Sequence, residues 1–102
     1  MSPPAAGSDP PSDGVLRRRV TIVNRRGLHA RAAARFVNVA EQFVAEIEVV
    51  KDDLVVGGTS ILGLMMLAAA AGAALELRAR GREAGPALEA LAALVARGFD
   101  ED

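Results

Sequence analysis

Cysteine is absent from the 102-residue chain, and histidine occurs once, at position 29. A disulfide framework, a thiol nucleophile and a zinc site built from Cys and His are therefore excluded by the number of available ligands. Tryptophan and tyrosine are also absent, and the formal net charge is -1. Nucleic-acid modules usually combine a basic surface with stacking aromatic side chains, so no nucleic-acid partner is expected. We also expect no cofactor and no metal.

Long apolar runs are scarce as well. The longest, residues 61–75, is rich in alanine and is interrupted by Gly63 and Gly72, so it falls short of a membrane span. The first 14 residues are rich in Pro, Ser, Gly and Asp and lack the basic start and apolar run of a signal peptide. These features predict a cytoplasmic protein without a membrane partner.

The domain organisation follows from length and composition. A hydrophobic content of 51% is ample for one core in a chain of this length and leaves little room for a second domain. We expect a disordered N-terminal extension over residues 1–14, one domain over residues 15–98 and an acidic C-terminal tail over residues 99–102.

Charge is distributed unevenly along the chain. Between Gly14 and Ala40 every acidic or basic charge belongs to an arginine, and acidic residues resume at Glu41. One region of the molecule is therefore predicted to be electropositive. The arginines in question are Arg17, Arg18, Arg19, Arg25, Arg26, Arg31 and Arg35.

The first half of the domain predicts a strand, a turn and a helix. Val20 and Ile22 alternate with polar neighbours, which indicates a half-buried strand that stops at the turn sequence of residues 24–27. Residues 30–40 then place apolar side chains on one helical face and polar side chains on another. His29 is predicted to lie at or beside the N-cap of this amphipathic helix.

The second half predicts a hairpin, a short helix, a strand and a last helix. Residues 46–49 and 54–56 form the hairpin, and the short helix runs from Ser60, a favoured N-cap residue, to about Leu67. Apolar and charged residues alternate over residues 75–80, which predicts the fourth strand. The last helix has Pro86 in its first turn and ends at residues 97–98.

The predicted element order is βαββαβα, and each strand has one strongly apolar face. Such strands pack best when helices cover that face alone. The sequence therefore predicts an α+β fold, an open-faced sandwich in which three helices cover one face of a four-stranded, mainly antiparallel sheet.

The position of His29 suggests chemistry on an anion. A neutral imidazole can attack a phosphoryl group, and the backbone N–H groups of Ala30 and Arg31 at a helix start favour the negative charge that results. The Arg31 guanidinium can add a charged donor. No second histidine and no nearby carboxylate cluster is available for hydrolysis, so a carrier fits better than a hydrolase. The other interpretation is an ordinary cap residue beside a solvated arginine face.

A family resemblance adds to this local pattern. Residues 27–37, Gly-Leu-His-Ala-Arg-Ala-Ala-Ala-Arg-Phe-Val, closely resemble the active-site motif of the HPr family, the phosphocarriers of the phosphoenolpyruvate-dependent phosphotransferase system. The resemblance covers about residues 16–98. Further matches in family order are residues 58–67, which resemble the regulatory-serine helix, and Gly72, residues 75–77 and Gly81.

The resemblance implies a role for three residues. His29 would be the histidine that is phosphorylated on Nδ1, Arg31 the phosphate-contacting arginine and Ser60 the regulatory serine. Enzyme I would supply the phosphoryl group and an enzyme IIA domain would accept it, which makes the protein a carrier with a phosphohistidine intermediate rather than an independent enzyme. Ala32 stands where the family usually has proline, a change that bears on the rigidity of the site more than on the fold.

Ser60 has a structural and a regulatory interpretation. It suits a helix N-cap, and the resemblance adds phosphorylation by an HPr serine kinase/phosphorylase. The helix that follows carries more apolar residues than one buried face requires, which suggests a docking surface for enzyme I and acceptors, although a wholly buried set is the alternative. A phosphate at Ser60 would then interfere with docking.

Two other functions are also compatible with the sequence. One is a regulatory binding protein that is controlled by its phosphorylation state without net phosphoryl flux. The other is an unrelated small α/β ligand-binding domain, which would make the ordered match a coincidence. Within the carrier interpretation, sugar transport and a nitrogen-related regulatory branch are both compatible with the sequence.

Overall fold

A computed structural model describes residues 14–101. Of the predicted N-terminal extension only Gly14 falls within this range, so that prediction lies outside the described residues. Within residues 14–101, none of the helices has the length and apolar character needed to cross a membrane.

The elements occur in the predicted order, strand, helix, strand, strand, helix, strand, helix. A single turn of 3-10 helix, Gly98–Asp100, follows the last of them. The elements are β1 (Leu16–Thr21), α1 (Ala30–Ala40), β2 (Glu46–Lys51), β3 (Leu54–Gly57), α2 (Ile61–Met66), β4 (Ala74–Arg80) and α3 (Ala84–Ala96).

The four strands form one sheet in the order β1-β4-β2-β3, and every neighbouring pair is antiparallel. Alternation along the strands separates its two faces. In the pair Val49 and Leu77 both side chains are fully buried, whereas the next pair along, Glu48 and Arg78, carries charge on the other face. The predicted open-faced α+β sandwich is therefore confirmed.

The core lies between the sheet and the three helices. Each helix contributes a large side chain with at most 1% exposure, namely Phe36 from α1, Leu64 from α2 and Leu91 from α3. Full burial of such a side chain stabilises the fold by roughly 1.5–3 kcal/mol. The apolar face of α1 thus fixes the orientation of the helix whose first turn follows His29.

Strand β1 begins earlier than the alternation of Val20 and Ile22 indicates. Its first half is rich in arginine, and Arg18 reaches α3, where it forms an ion pair with Glu89 at 2.5 Å. Because Arg18 occupies a helix-facing position, the apolar alternation is not visible in the first half of β1. The observed strand therefore begins earlier than the alternation indicates. Ile22 lies just beyond the strand, but its N–H still donates to the carbonyl of Ala73 at 2.9 Å.

The turn between β1 and α1 depends on Gly27. Its φ angle of 69° lies in the left-handed region, and a Cβ atom at this position would clash with the carbonyl oxygen of Ala69. The next residue, Leu28, donates its N–H to the same carbonyl at 2.9 Å. The segment before α1 is thereby fastened to the segment after α2, one residue before His29.

Replacing Gly27 with alanine should destabilise the protein by roughly 1–3 kcal/mol, because the residue would be strained and would also displace the Ala69 backbone. Urea unfolding followed by circular dichroism measures this loss. Gly57→Ala is the matched control, since a Cβ atom at Gly57 meets nothing within 4 Å. Equal losses in the two variants would contradict the proposed constraint.

Candidate functional site

His29 occupies the N-cap of α1, with extended backbone angles of φ -78° and ψ 179°. Its carbonyl accepts the first helical hydrogen bond from Ala33 at 2.8 Å. Its side chain turns over the helix end, where Nδ1 accepts the backbone N–H of Arg31 at 3.3 Å. The Nδ1 atom is therefore placed at the positive end of the helix.

The other ring nitrogen of His29, Nε2, contacts Oε2 of Glu101. Both side chains are largely shielded, with 17% of the His29 side chain and 15% of the Glu101 side chain exposed. The second carboxylate oxygen, Oε1, accepts a hydrogen bond from Nδ2 of Asn24 at 2.9 Å. Glu101 is thus held through both oxygens.

Asn24 links this carboxylate to the turn that carries His29. Its Nδ2 group also donates to the carbonyl of Gly27 at 2.8 Å, and the residue is only 5% exposed. One side-chain amide therefore connects the end of the chain with the turn before α1. The ring contact and this bridge together fix Glu101 relative to His29.

These contacts lower the pKa of the Glu101 carboxyl below its ordinary value. The hydrogen bond from Asn24 is the largest cause, partial burial acts in the opposite direction, and the contact with His29 lowers the pKa further. Glu101 is accordingly a carboxylate at neutral pH, and it presents an acceptor to the imidazole.

Residues 99–101, for which an acidic tail is predicted, pack onto the domain. The Phe99 side chain is fully buried, and Arg35 of α1 donates from Nη1 to its carbonyl. Phe99 and Asp100 both have left-handed φ angles, 58° and 62°. Two such residues in succession turn the chain back, which brings Glu101 to the imidazole.

A depression of about 550 Å³ lies at this end of the molecule. Within residues 14–101, Arg25, Arg26 and Arg31 have no carboxylate oxygen within 4 Å, whereas Asp100 is paired with Arg97 at 2.8 Å. The depression therefore offers guanidinium groups to an incoming anion. It is lined by Arg25, Arg26, Arg31, Arg35, Asp100 and Glu101.

Ser60 lies apart from this cluster, at the N-cap of α2. Its Oγ accepts the N–H of Gly63 at 2.9 Å, and no hydrogen bond in the described part of the chain joins its side chain to His29. The helix that it caps is exposed on one side, with Leu62 71% and Met66 64% exposed. The prediction that some of these apolar residues remain exposed is confirmed.

The comparisons with known proteins agree with the fold and with the motif. The family model described as "PTS HPr component phosphorylation site" matches residues 16–97. The chain belongs to the PTS-HPr family. The resemblance recognised in the sequence is thereby confirmed, and family membership supports a phosphocarrier role in the phosphotransferase system.

Individual relatives cover nearly the same part of the chain. The phosphocarrier protein HPr of Neisseria meningitidis is 45% identical over 87 residues, covering 85% of this chain and 98% of the relative. The phosphocarrier protein NPr of Shewanella violacea is 44% identical over 86 residues, covering 84% and 94%. A crystal structure of HPr from Thermoanaerobacter tengcongensis superposes with a TM-score of 0.81 at 38% identity, covering 85% and 98%.

The sequence does not predict the specific contacts of three residues at the site, Asn24, Arg35 and Glu101. Asn24 was interpreted as a turn residue and Arg35 as part of a general positive field. Glu101 was assigned to a tail. The available signal was Phe99, a large aromatic residue beside the acidic end of the chain, because such a residue is normally buried in a small domain.

The low pKa of Glu101 predicts a pH-dependent contribution to stability. A folded-state pKa below the unfolded value stabilises the fold above the unfolded pKa of about 4.5, and this contribution is lost as pH falls through the folded value. Wild type should therefore exceed Glu101→Gln in unfolding free energy at pH 7, and the difference should narrow at pH 3. Urea unfolding at both pH values checks this, and a constant difference would contradict it.

Proposed function

We propose that His29 accepts a phosphoryl group on Nδ1 from phosphorylated enzyme I and passes it to an enzyme IIA domain. The observation that carries this proposal is the position of Nδ1 at the first turn of α1, within hydrogen-bonding distance of the Arg31 N–H. Arg25, Arg26 and Arg31, which have no carboxylate oxygen within 4 Å among residues 14–101, line the adjacent depression and supply the matching charge. Family membership supports the choice of donor and acceptor.

The transfer step forms one bond and breaks another. The Nδ1 lone pair attacks phosphorus, and the bond between phosphorus and the donor atom of enzyme I breaks, with its electron pair leaving on the donor. In the second transfer, a nucleophilic atom of the acceptor attacks phosphorus, and the bond between phosphorus and Nδ1 breaks, with its electron pair returning to Nδ1. No proton has to leave the Nδ1 atom, since that atom already accepts a hydrogen bond in the resting protein.

The phosphorylated state gains stabilisation from the helix end. Once Nδ1 carries the phosphoryl group, the backbone N–H groups of Ala30 and Arg31 are free to donate to its oxygens, as donors of the first helical turn. The helix dipole adds roughly 0.3–2 kcal/mol, and the Arg31 guanidinium adds a charged hydrogen bond. This moderate stabilisation suits an intermediate that must be passed on.

Substitutions at His29 and Arg31 test the transfer. His29→Asn should abolish acid-labile labelling by enzyme I and labelled phosphoenolpyruvate, because it keeps a capping side chain but removes the nucleophile. Arg31→Ala should slow labelling about 10- to 100-fold, the cost of about one charged hydrogen bond. Arg82→Ala, an exposed arginine between β4 and α3, is the control and should behave as wild type.

Labelling of His29→Asn at the wild-type rate would place the phosphoryl group elsewhere and overturn the proposal. A wild-type chain that a competent enzyme I leaves unlabelled would do the same. If the wild type is labelled, a chase with purified enzyme IIA domains of the sugar and nitrogen-related branches identifies the acceptor. Relatives named HPr and NPr match this chain equally well, so we propose no preference between the two branches.

A regulatory modification at Ser60 extends this proposal. The residue is exposed and begins a helix whose apolar side chains also face solvent. A phosphate at this position would place two negative charges beside that surface and would weaken the docking of enzyme I. An HPr serine kinase is the enzyme that we propose for this modification, on the strength of the family resemblance.

Ser60→Ala should lose labelling by an HPr serine kinase and ATP. Thr59→Ala, which removes the adjacent exposed hydroxyl, should keep it. Loss of the N-cap should also lower the unfolding free energy by roughly 0.5–2 kcal/mol, so labelling must be measured well below the melting temperature. Undiminished labelling of Ser60→Ala would contradict the proposal that Ser60 is the phosphorylated residue.

The second candidate function is a regulatory binding protein without phosphoryl flux. The exposed apolar surface of α2, formed by Ile61, Leu62, Met65 and Met66, is the observation that favours it. Patches of this kind mark protein contacts. Labelling by the serine kinase together with the absence of labelling by enzyme I would select this function over the carrier.

A further inference from the structure

The two ring nitrogens of His29 have partners of opposite kind. Nδ1 faces a donor, the backbone N–H of Arg31, and Nε2 faces an acceptor, the carboxylate of Glu101. A neutral imidazole carries one proton, on either nitrogen, and these partners fit only the form protonated on Nε2. In that form the Nδ1 lone pair points toward the helix end.

The Arg31 N–H alone fixes this form weakly, since its hydrogen bond to Nδ1 is long, at 3.3 Å. The carboxylate is held more firmly. Asn24 binds its second oxygen at 2.9 Å, buried Phe99 anchors the turn before it, and Arg35 fastens the carbonyl of Phe99 to α1. A carboxylate so constrained orients the ring as well as selecting its proton position.

We propose that Glu101 is a positioning residue, which keeps the proton of His29 on Nε2 and so presents the Nδ1 lone pair to the phosphoryl group. The inference rests on the proposed function and adds a residue outside the histidine motif to its machinery. Carboxylates that orient a catalytic imidazole through its second nitrogen act in the same way in enzymes.

The carboxylate also matches the charge that develops during transfer. As the bond from Nδ1 to phosphorus forms, the Nε2 proton stays on the ring, and the imidazole becomes positively charged. Glu101 accepts the Nε2–H bond throughout and stabilises that positive charge. When the phosphoryl group leaves, the ring returns to its neutral form with the same proton in place, so the step balances without an external acid or base.

Glu101→Gln tests whether Glu101 holds the ring proton on Nε2, because glutamine has nearly the same shape as glutamate. Its oxygen can still accept the Asn24 hydrogen bond, but its amide group then donates toward Nε2, and the ring proton moves to Nδ1. The nucleophilic lone pair is thereby blocked. Glu89→Gln is the matched control, since it removes the same charge from an exposed position on α3.

Two measurements are made on the full chain. The first is the tautomer of His29, from the two-bond 1H–15N correlations of the neutral ring. The second is the rate of labelling by enzyme I and phosphoenolpyruvate. In Glu101→Gln we expect the dominant tautomer to change from Nε2–H to Nδ1–H and labelling to slow about tenfold or more, as for other residues that orient a functional imidazole.

An unchanged tautomer in Glu101→Gln, or a changed tautomer with undiminished labelling, overturns the inference. Slower labelling in Glu89→Gln to the same extent also overturns it, because the effect would then be one of net charge. If enzyme I does not label the wild type, the proposed function is wrong, but the inference about Glu101 is still tested. In that case the comparison of the ring tautomer in wild type and Glu101→Gln decides whether Glu101 positions His29.

Discussion

The contact between Gly27 and the carbonyl of Ala69 leaves no room for a side chain, and the site depends on it. Together with the Leu28 hydrogen bond to the same carbonyl, it joins the turn after β1 to the segment after α2, two to three residues before α1 begins. Because the apolar face of α1 is buried in the core, the helix cannot rotate to compensate for a shift in the turn. Gly27 and the core together therefore determine where the imidazole lies.

Around that imidazole, the two ring nitrogens meet different groups. The first turn of α1 faces Nδ1, and the Glu101 carboxylate faces Nε2. The depression nearby is lined by four arginines together with Asp100 and Glu101. In the proposed function, a phosphoryl group on Nδ1 meets the helix end, while Glu101 stabilises the ring through Nε2.

The sequence predicts the fold and the position of His29 at a helix start, but it does not predict the contact between His29 and Glu101. The bounds of α1 agree with its apolar periodicity, and His29 was placed at the helix start because capping is a local property. The contact with Glu101 spans 72 residues and requires left-handed angles at Phe99 and Asp100. Gly98 and Asp100 are residues that turns favour, but no local signal predicts that Phe99 between them also takes a left-handed angle.

This separation along the chain bears on the order in which the protein matures during synthesis. The segment with the histidine emerges from the ribosome before β4, which pairs with β1 and β2, and before the turn that bears Glu101. A nascent chain therefore exposes its imidazole before the sheet is complete and before Nε2 contacts a carboxylate. A chain that stops short of Glu101 lacks the full arrangement around His29.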